Sequence, residues 1–282
     1  MLRHRLWDTS ESRAFAVRSG VFYPQRMRAL RTPSRRRRAW ILPVIALGVA
    51  AVVALSVWRP WAAPAEPETA VAAGPDGVAL PVSAPAPLRL PEHPHVLIFG
   101  DSWTYGSAAS DPHLGYAYLV ADIAGWTTTV DGVRGSGYLK PGLDGPDFGT
   151  RIEQLDPALD PDLVIVQGSI NDRREPAEGY RAAVDAAWDA LAQRYPRAQI
   201  VVLGPAPQVL PVEPETARID RDLRDAAAAR CWWYVSPIAE SWITVENYAA
   251  VIDTGLGRDH PSTEGHRVLA ERLAAAVAAL SR

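Results

Sequence analysis

Residues 95–106 read HVLIFGDSWTYG, and this stretch decides how the rest of the chain is interpreted. Four apolar residues, Val96 to Phe99, predict a short buried β-strand. The apolar run stops at Gly100, and an acid and a hydroxyl, Asp101 and Ser102, follow it directly. A serine at that place is either a turn or capping residue, or a nucleophile presented at the end of a strand.

From His95 onward, short apolar runs alternate with amphipathic stretches. Apolar residues recur at helical spacing between Tyr180 and Tyr195 and between Val268 and Leu280. Further strands are predicted at 127–133, 163–166, 199–203 and 232–235. Such alternation predicts an α/β domain with a five-stranded parallel sheet covered on both faces. Ligands of these sheets bind at the carboxyl ends of the strands, which is where the opening stretch places Ser102.

Four candidate residues follow predicted strands or precede the last helix: Ser102, Gly135 in GVRGSGY, Asn171 in VQGSIND and His260 in RDHPSTEGH. Each has an ordinary structural explanation. Ser102 or Asp101 would cap a helix, Gly135 would supply a positive φ, Asn171 would form an Asx-turn and His260 would be a solvated loop residue. Their occurrence together, at one edge of the sheet, favours a shared site.

These residues resemble the sequence blocks of the GDSL-type or SGNH hydrolases. The blocks are Gly100-Asp101-Ser102, then Gly135, then Gly168-Ser169-Ile170-Asn171-Asp172, and finally His260-Pro261 with Gly265-His266. The resemblance covers residues 95–282 and implies a flavodoxin-like three-layer α/β/α fold and ester hydrolysis through an acyl-enzyme. It implies that Ser102 is the nucleophile and His260 the general base. It also implies that an oxyanion is held by the Ser102 and Gly135 backbone amides and the Asn171 side chain.

The residue types suit this chemistry. A serine hydroxyl becomes a good nucleophile when a neighbouring imidazole takes its proton, and histidine is the side chain that titrates near neutrality. A tetrahedral intermediate needs hydrogen-bond donors, and Asn171 supplies an NH₂ group that an aspartate would lack. This chemistry requires no metal ion or organic cofactor.

One departure concerns the residue that orients the histidine. The family usually carries an aspartate three residues before the histidine, and that position here is Gly257. Asp259 is adjacent to His260, and Asp253 lies seven residues before it. Asp253, Asp259 or a backbone carbonyl in a Ser-His dyad are the open alternatives.

Several residues near these blocks have more than one interpretation. Trp103 and Tyr105 either line the substrate pocket or pack internally. Asp172 and the pair Arg173-Arg174 either organise the loop or contact substrate. We expect His266 on an exposed face of the last helix, with Ser262 or Thr263 as its N-cap and Glu264 in its first turn.

The N-terminal part of the chain predicts a membrane anchor. Residues 1–39 form a basic segment, and residues 1–59 hold twelve arginines against only Asp8 and Glu11. Trp40 to Trp58 is an uncharged run long enough for one transmembrane helix, and Arg35 to Arg38 just before it place the N-terminus in the cytoplasm. Cleavage of the chain after this helix, and translation that starts at Met27, remain alternatives. We interpret the arginine run as a signal for membrane topology and not as a nucleic-acid-binding segment.

Residues 59–94 are rich in proline and alanine and predict an extended linker before the hydrolase domain at 95–282. That domain carries sixteen Lys and Arg against twenty-six Asp and Glu. Cys231, the only cysteine, is predicted to be buried beside a strand.

We therefore expect an extracytoplasmic, membrane-anchored serine esterase that acts on small acyl esters. O-acetylated glycans of the cell envelope are the preferred substrates. Acyl transfer to a glycan hydroxyl, or a surface binding module with weakened catalysis, are the alternatives.

Overall fold

The computed structural model describes residues 84–282. The predicted transmembrane helix at 40–58 and the basic segment before it lie outside these residues. Among the described residues, no helix is both long enough and apolar enough to cross a membrane.

Five strands form one parallel sheet in the order β2-β1-β3-β4-β5. Their bounds are β1 His95–Gly100, β2 Thr127–Gly132, β3 Leu163–Gln167, β4 Gln199–Leu203 and β5 Trp233–Val235. This confirms the predicted α/β fold with a five-stranded parallel sheet, and the strand order is that of flavodoxin-like folds.

Seven α-helices occur in the described part of the chain: α1 Ser102–Tyr105, α2 Tyr116–Ala124, α3 Phe148–Gln154, α4 Tyr180–Arg194, α5 Pro214–Ala229, α6 Tyr248–Val251 and α7 Thr263–Ala279. Short 3₁₀ helices lie at Pro112–Leu114, Pro157–Leu159 and Ile170–Arg174. A two-stranded antiparallel ladder, β6 Ile252–Asp253 with β7 His260–Pro261, precedes α7.

Alternate residues of β1, β3 and β4 pack into two separate cores, one on each face of the sheet. Val96 and Ile98 pack with α2 and α7 on one face, whereas Leu97 and Phe99 pack with α3, α4 and α5 on the other. Because both faces are covered, the central strands are apolar throughout, which explains why they are recognisable as continuous apolar runs.

Part of the predicted linker packs against the domain. Leu88 is buried in the core, and its N–H donates to the Leu280 carbonyl at 2.9 Å. The Trp233 indole N–H donates to the Ala86 carbonyl at 3.1 Å. The chain therefore begins to pack against the α/β domain several residues before β1.

The prediction for Cys231 is wrong, because its side chain is exposed. Helix α5 ends at Ala229, and Cys231 adopts a left-handed φ of 53° in the turn that leads to β5. The strand begins only at Trp233, so the cysteine belongs to the turn and not to the sheet.

Candidate active site

Ser102 begins helix α1 directly after β1. Asp101 is the N-cap of that helix, and its Oδ1 accepts a hydrogen bond from the Trp103 N–H at 2.9 Å. A Cβ at Gly100 would lie 2.3 Å from Thr104 Oγ1, so this tight strand-to-helix turn requires glycine. The Ser102 side chain is thereby fixed at the carboxyl end of β1.

His260 reaches the serine from the other end of the domain sequence. It lies in β7, and its Nε2 is 2.8 Å from Ser102 Oγ. The two residues are 158 positions apart in the chain. The fold thus forms the hydrogen bond that a serine nucleophile and its base require.

Backbone carbonyls hold the second nitrogen of the imidazole. Nδ1 of His260 lies 2.8 Å from the Gly257 carbonyl oxygen and 3.1 Å from that of Arg258. Because a carbonyl oxygen only accepts hydrogen bonds, Nδ1 must carry the proton in the neutral ring. Nε2 then has a free lone pair directed at the Ser102 hydroxyl.

Neither candidate aspartate forms a hydrogen bond or salt bridge with the imidazole, whose partners among residues 84–282 are Gly257, Arg258 and Ser102. Asp253 Oδ1 accepts from the Gly255 N–H at 2.9 Å, and the Asp259 N–H donates to the Asp253 carbonyl at 2.9 Å. A Cβ at Gly257 would lie 2.6 Å from Asp253 Cβ and 2.8 Å from Ala108 Cβ. The position of the family's usual aspartate therefore has no room for a side chain, and its carbonyl contacts the histidine instead.

Two backbone amides at the site are free to bind substrate. Among residues 84–282, neither the Ser102 nor the Gly135 N–H donates to a protein acceptor. Gly135 has a φ of 76°, which explains the glycine, whereas a Cβ there would make only ordinary contacts with Leu143. Both residues line the cleft in front of His260.

Asn171 lies close to this site but does not line the cleft. Its Nδ2 donates to the Ser136 carbonyl at 2.9 Å and also lies 3.1 Å from Ser169 Oγ and 3.4 Å from Asp101 Oδ2. The amide therefore holds the carbonyl of the residue next to Gly135. The structure brings Ser102, Gly135 and His260 to one cleft and leaves Asn171 just behind it.

Asp101 is fully buried beneath the serine. Burial raises the pKa of its carboxyl group, while the Trp103 N–H, the Ser169 hydroxyl and the nearby His260 and Arg151 charges lower it. Ser169 Oγ lies 3.1 Å from Asp101 Oδ2 and 2.7 Å from the Ser136 carbonyl. This network links the loop after β1 to the loops after β2 and β3.

Arg151 in α3 is a site residue that sequence reasoning missed. Its Nη1 donates to the Gly100 carbonyl and to Ser136 Oγ, both at 2.9 Å. Its Nη2 donates to Asp131 Oδ1 at 2.6 Å and to the Asp131 carbonyl at 2.8 Å. One buried guanidinium therefore holds the chain just before Ser102 and just after Gly135, next to the two free amides. The sequence pattern of the helix around Arg151 gives no sign of this role.

Asp172 organises the loop after β2, which was one of the two predicted alternatives. Its carboxylate accepts from the Tyr138 N–H at 2.7 Å and the Leu139 N–H at 3.1 Å. Burial raises its pKa to about 6. Arg173 forms a salt bridge with Glu213, in which Nε lies 3.0 Å from Oε2. Neither Arg173 nor Arg174 lines the cleft.

The prediction that His266 is exposed is wrong, because its side chain is fully buried. Its Nδ1 accepts from the Tyr116 N–H at 3.2 Å, and its Nε2 donates to the Ser107 carbonyl at 3.0 Å. Helix α2 has no side-chain N-cap of its own, so His266 satisfies its first amide from α7. The predicted cap of α7 is Ser262, whose Oγ accepts from the Gly265 N–H at 3.0 Å.

The cleft in front of Ser102 has a volume of about 470 Å³. Small residues from the loop after α1 form one wall, and the loop between β6 and β7 forms another. Tyr105 lines this cleft, whereas Trp103 lines a separate small cavity of about 10 Å³. Of the two aromatic residues considered as pocket walls, only Tyr105 faces the site.

Known structures share this fold. A structure described as a lipolytic protein of the G-D-S-L family from Desulfitobacterium hafniense is 16% identical with a TM-score of 0.53, over 64% of this chain and 98% of that one. A carbohydrate esterase family 2 enzyme with a carbohydrate-binding domain from Corynascus thermopiles (Myceliophthora fergusii) is 20% identical with a TM-score of 0.52, over 73% and 70%. At these identities the likeness shows the fold alone.

The sequence itself matches one protein-family model. No curated protein matches the chain. The model of the GDSL-like Lipase/Acylhydrolase family, however, matches residues 98–268, which include Ser102, His260 and all of the sheet except the first three residues of β1. The chain therefore belongs to the GDSL-like lipase/acylhydrolase family.

Proposed function

We propose that this protein is a serine esterase that hydrolyses small acyl esters, foremost acetyl esters of glycans, through an acyl-enzyme. The observation that carries the proposal is the 2.8 Å contact between Ser102 Oγ and His260 Nε2 at an open cleft. This pair, with two unpartnered amides beside it, has the geometry of a nucleophile, a base and an oxyanion site.

In the first half-reaction, His260 Nε2 takes the proton of Ser102 as its Oγ attacks the ester carbonyl carbon. The Gly257 and Arg258 carbonyls hold the Nδ1 proton and keep the ring oriented. The imidazolium then protonates the leaving alcohol, and the acyl group remains on Ser102. Water attacks this acyl-enzyme in the second half-reaction, with the same histidine as base.

The negative oxygen of each tetrahedral intermediate is bound by the Ser102 and Gly135 amides. Asn171 contributes the third donor in this proposal. One of its two N–H groups stays on the Ser136 carbonyl at 2.9 Å, and the other leaves Ser169 Oγ for the oxyanion. Loss of one such donor typically lowers kcat by about 100- to 1000-fold.

The shape of the cleft favours short acyl groups and a polar alcohol. Gly106, Ser107, Ala108 and Ala109 form its wall beside the serine, and the cleft is open to solvent. A long acyl chain would remain largely in water there, whereas a sugar can keep its hydroxyl groups hydrated. This supports acetylated glycans over long-chain lipids as substrates.

We further propose that the predicted helix at 40–58 anchors the enzyme so that its catalytic domain acts outside the cytoplasm. This proposal comes from the sequence, since the helix lies outside the described residues. A cysteine-specific, membrane-impermeant reagent provides a test, because Cys231 is exposed and is the only cysteine. Labelling of intact cells supports the outward orientation, and labelling only after lysis contradicts it.

The catalytic proposal is tested with Ser102→Ala and the matched control Ser110→Ala. Ser110 is exposed and lies outside the cleft. We expect Ser102→Ala to abolish hydrolysis of p-nitrophenyl acetate and acetylated xylan, with little change in melting temperature, and Ser110→Ala to retain both activities. A fluorophosphonate probe should label the unaltered protein and the control but not Ser102→Ala. Turnover retained by Ser102→Ala would refute the nucleophile.

A further inference from the structure

The candidate cleft carries positive charge on an otherwise acidic domain. Its charged lining residues are Arg134 and Arg258, together with the titratable His260, and no carboxylate is among the lining residues of the described chain. The domain at 95–282 has ten more acidic than basic side chains. Cationic side chains without carboxylates among the lining residues favour substrates that carry negative charge.

The two arginines are not equivalent. Arg134 forms an ion pair with Asp144 at 2.7 Å and lies over the Tyr105 ring at 5.2 Å from its centroid. Within residues 84–282, Arg258 forms no salt bridge or side-chain hydrogen bond. Arg258 is therefore the cation of the cleft whose charge is not already balanced by an ion pair.

Arg258 is fixed close to the reaction centre by its backbone. Its carbonyl oxygen lies 3.1 Å from His260 Nδ1, and its φ of 51° is unusual for a residue with a side chain. The extended side chain starts two residues from the base and lines the same cleft. Its guanidinium can thus reach a group attached to the alcohol part of a bound ester.

The two carboxylates of the same loop do not replace a substrate anion at Arg258. Asp253 Oδ1 accepts from the Gly255 N–H, and Asp259 forms no salt bridge with Arg258 within residues 84–282. Neither aspartate lines the cleft. They leave the Arg258 charge available to a ligand.

We infer that Arg258 binds an anionic group on the alcohol side of the substrate, which makes acyl esters of acidic sugars the preferred class. The inference rests on the proposed esterase function and narrows it. A guanidinium can pair with a carboxylate or a phosphate through two hydrogen bonds. Leu256, fully exposed beside it, offers an apolar contact to the rest of the alcohol.

Two matched esters test the inference: 4-acetoxybenzoate and its neutral methyl ester. The quantity measured is the ratio of kcat/KM for the anionic ester to that for the neutral ester, so that effects common to both esters cancel. We expect Arg258→Gln to lower this ratio by about tenfold and Arg258→Lys to lower it less. Arg272→Gln, an exposed position on α7 outside the cleft, is the matched control and should leave the ratio unchanged.

Added salt provides a test without substitution. The ratio for the unaltered protein should fall as the NaCl concentration rises, because the contact is accessible to solvent. The same ratio in Arg258→Gln and in the unaltered protein would overturn the inference while the esterase proposal stands. Absence of turnover of either ester by the unaltered protein would instead refute the proposed function, and the inference with it.

Discussion

The buried side chain of His266 leads to a quantitative prediction of how the free energy of unfolding changes as the pH falls. Burial, with a smaller contribution from the positive charge of nearby His260, lowers the pKa of this imidazole from 6.5 to about 4. Its Nδ1 accepts a hydrogen bond from the Tyr116 N–H. Protonation of that nitrogen would break this hydrogen bond and leave two N–H groups facing each other. We expect His266→Gln to make the free energy of unfolding less dependent on pH between about 4 and 6.5.

The direction of this pH dependence follows from the number of protons that the folded and unfolded states bind. Between these pH values the unfolded chain binds a proton at His266 that the folded protein excludes, so stability falls as the solution is acidified. A pKa difference of about 2.5 units corresponds to about 3 kcal/mol, and most of it is lost between about pH 7.5 and pH 4.5. The stabilising contribution is complete above about pH 7.5, one pH unit above the unfolded pKa.

The assay is urea unfolding of the unaltered protein and His266→Gln at several pH values, with the difference in unfolding free energy as the readout. The unaltered protein alone would be ambiguous, because burial raises the pKa of Asp172 to about 6 and stabilises the fold in acid. That effect is common to both proteins and cancels in the difference. We expect the difference to shrink by about 2.5 kcal/mol from pH 7.5 to pH 4.5, and parallel curves would refute the reasoning.

Substitutions at three further positions test the structure around the serine. Arg151→Lys cannot bridge the Gly100 carbonyl and Ser136, so we expect kcat for p-nitrophenyl acetate to fall about 10- to 100-fold with KM within threefold; a change in KM alone would contradict this. Asp253→Asn keeps the acceptor for the Gly255 N–H and should retain activity better than Asp253→Ala, whereas equal losses would favour a role for its charge. Gly257→Asp should lower kcat/KM as strongly as Gly257→Ala, since the Cβ itself clashes, and a gain of activity would refute the backbone-carbonyl assignment.

The sheet was predictable from sequence because its strands are buried on both faces. Strands β1, β3 and β4 are continuous apolar runs, and their predicted bounds differ from the observed ones by at most two residues. The fifth strand begins one residue later than predicted, at Trp233, because the chain first leaves α5 through a turn in which Cys231 has a left-handed φ. Local apolar composition does not reveal such a turn.

The contacts behind the site were harder to predict. His266 lies three residues before Leu269 and four before Ala270, both buried in α7, so helical spacing does place it on the buried face. A polar side chain at such a position is normally assigned to the surface, so the helical spacing of His266 is outweighed by its residue type. The role of Arg151 depends on carbonyls 51 and 20 residues away, and no local pattern encodes these contacts.

The loop between β6 and β7 links orientation of the base to substrate binding. Gly257 and Arg258 direct their carbonyls at His260 Nδ1, and the side chains of Leu256 and Arg258 line the cleft. In an enzyme with an aspartate in the triad, a separate carboxylate stabilises the imidazolium. Here neutral carbonyl dipoles take that role, so the positive charge formed during catalysis is stabilised less by the protein. An anionic group bound at Arg258 would neutralise a guanidinium charge that otherwise repels this imidazolium, which would make the substrate itself part of what stabilises the base.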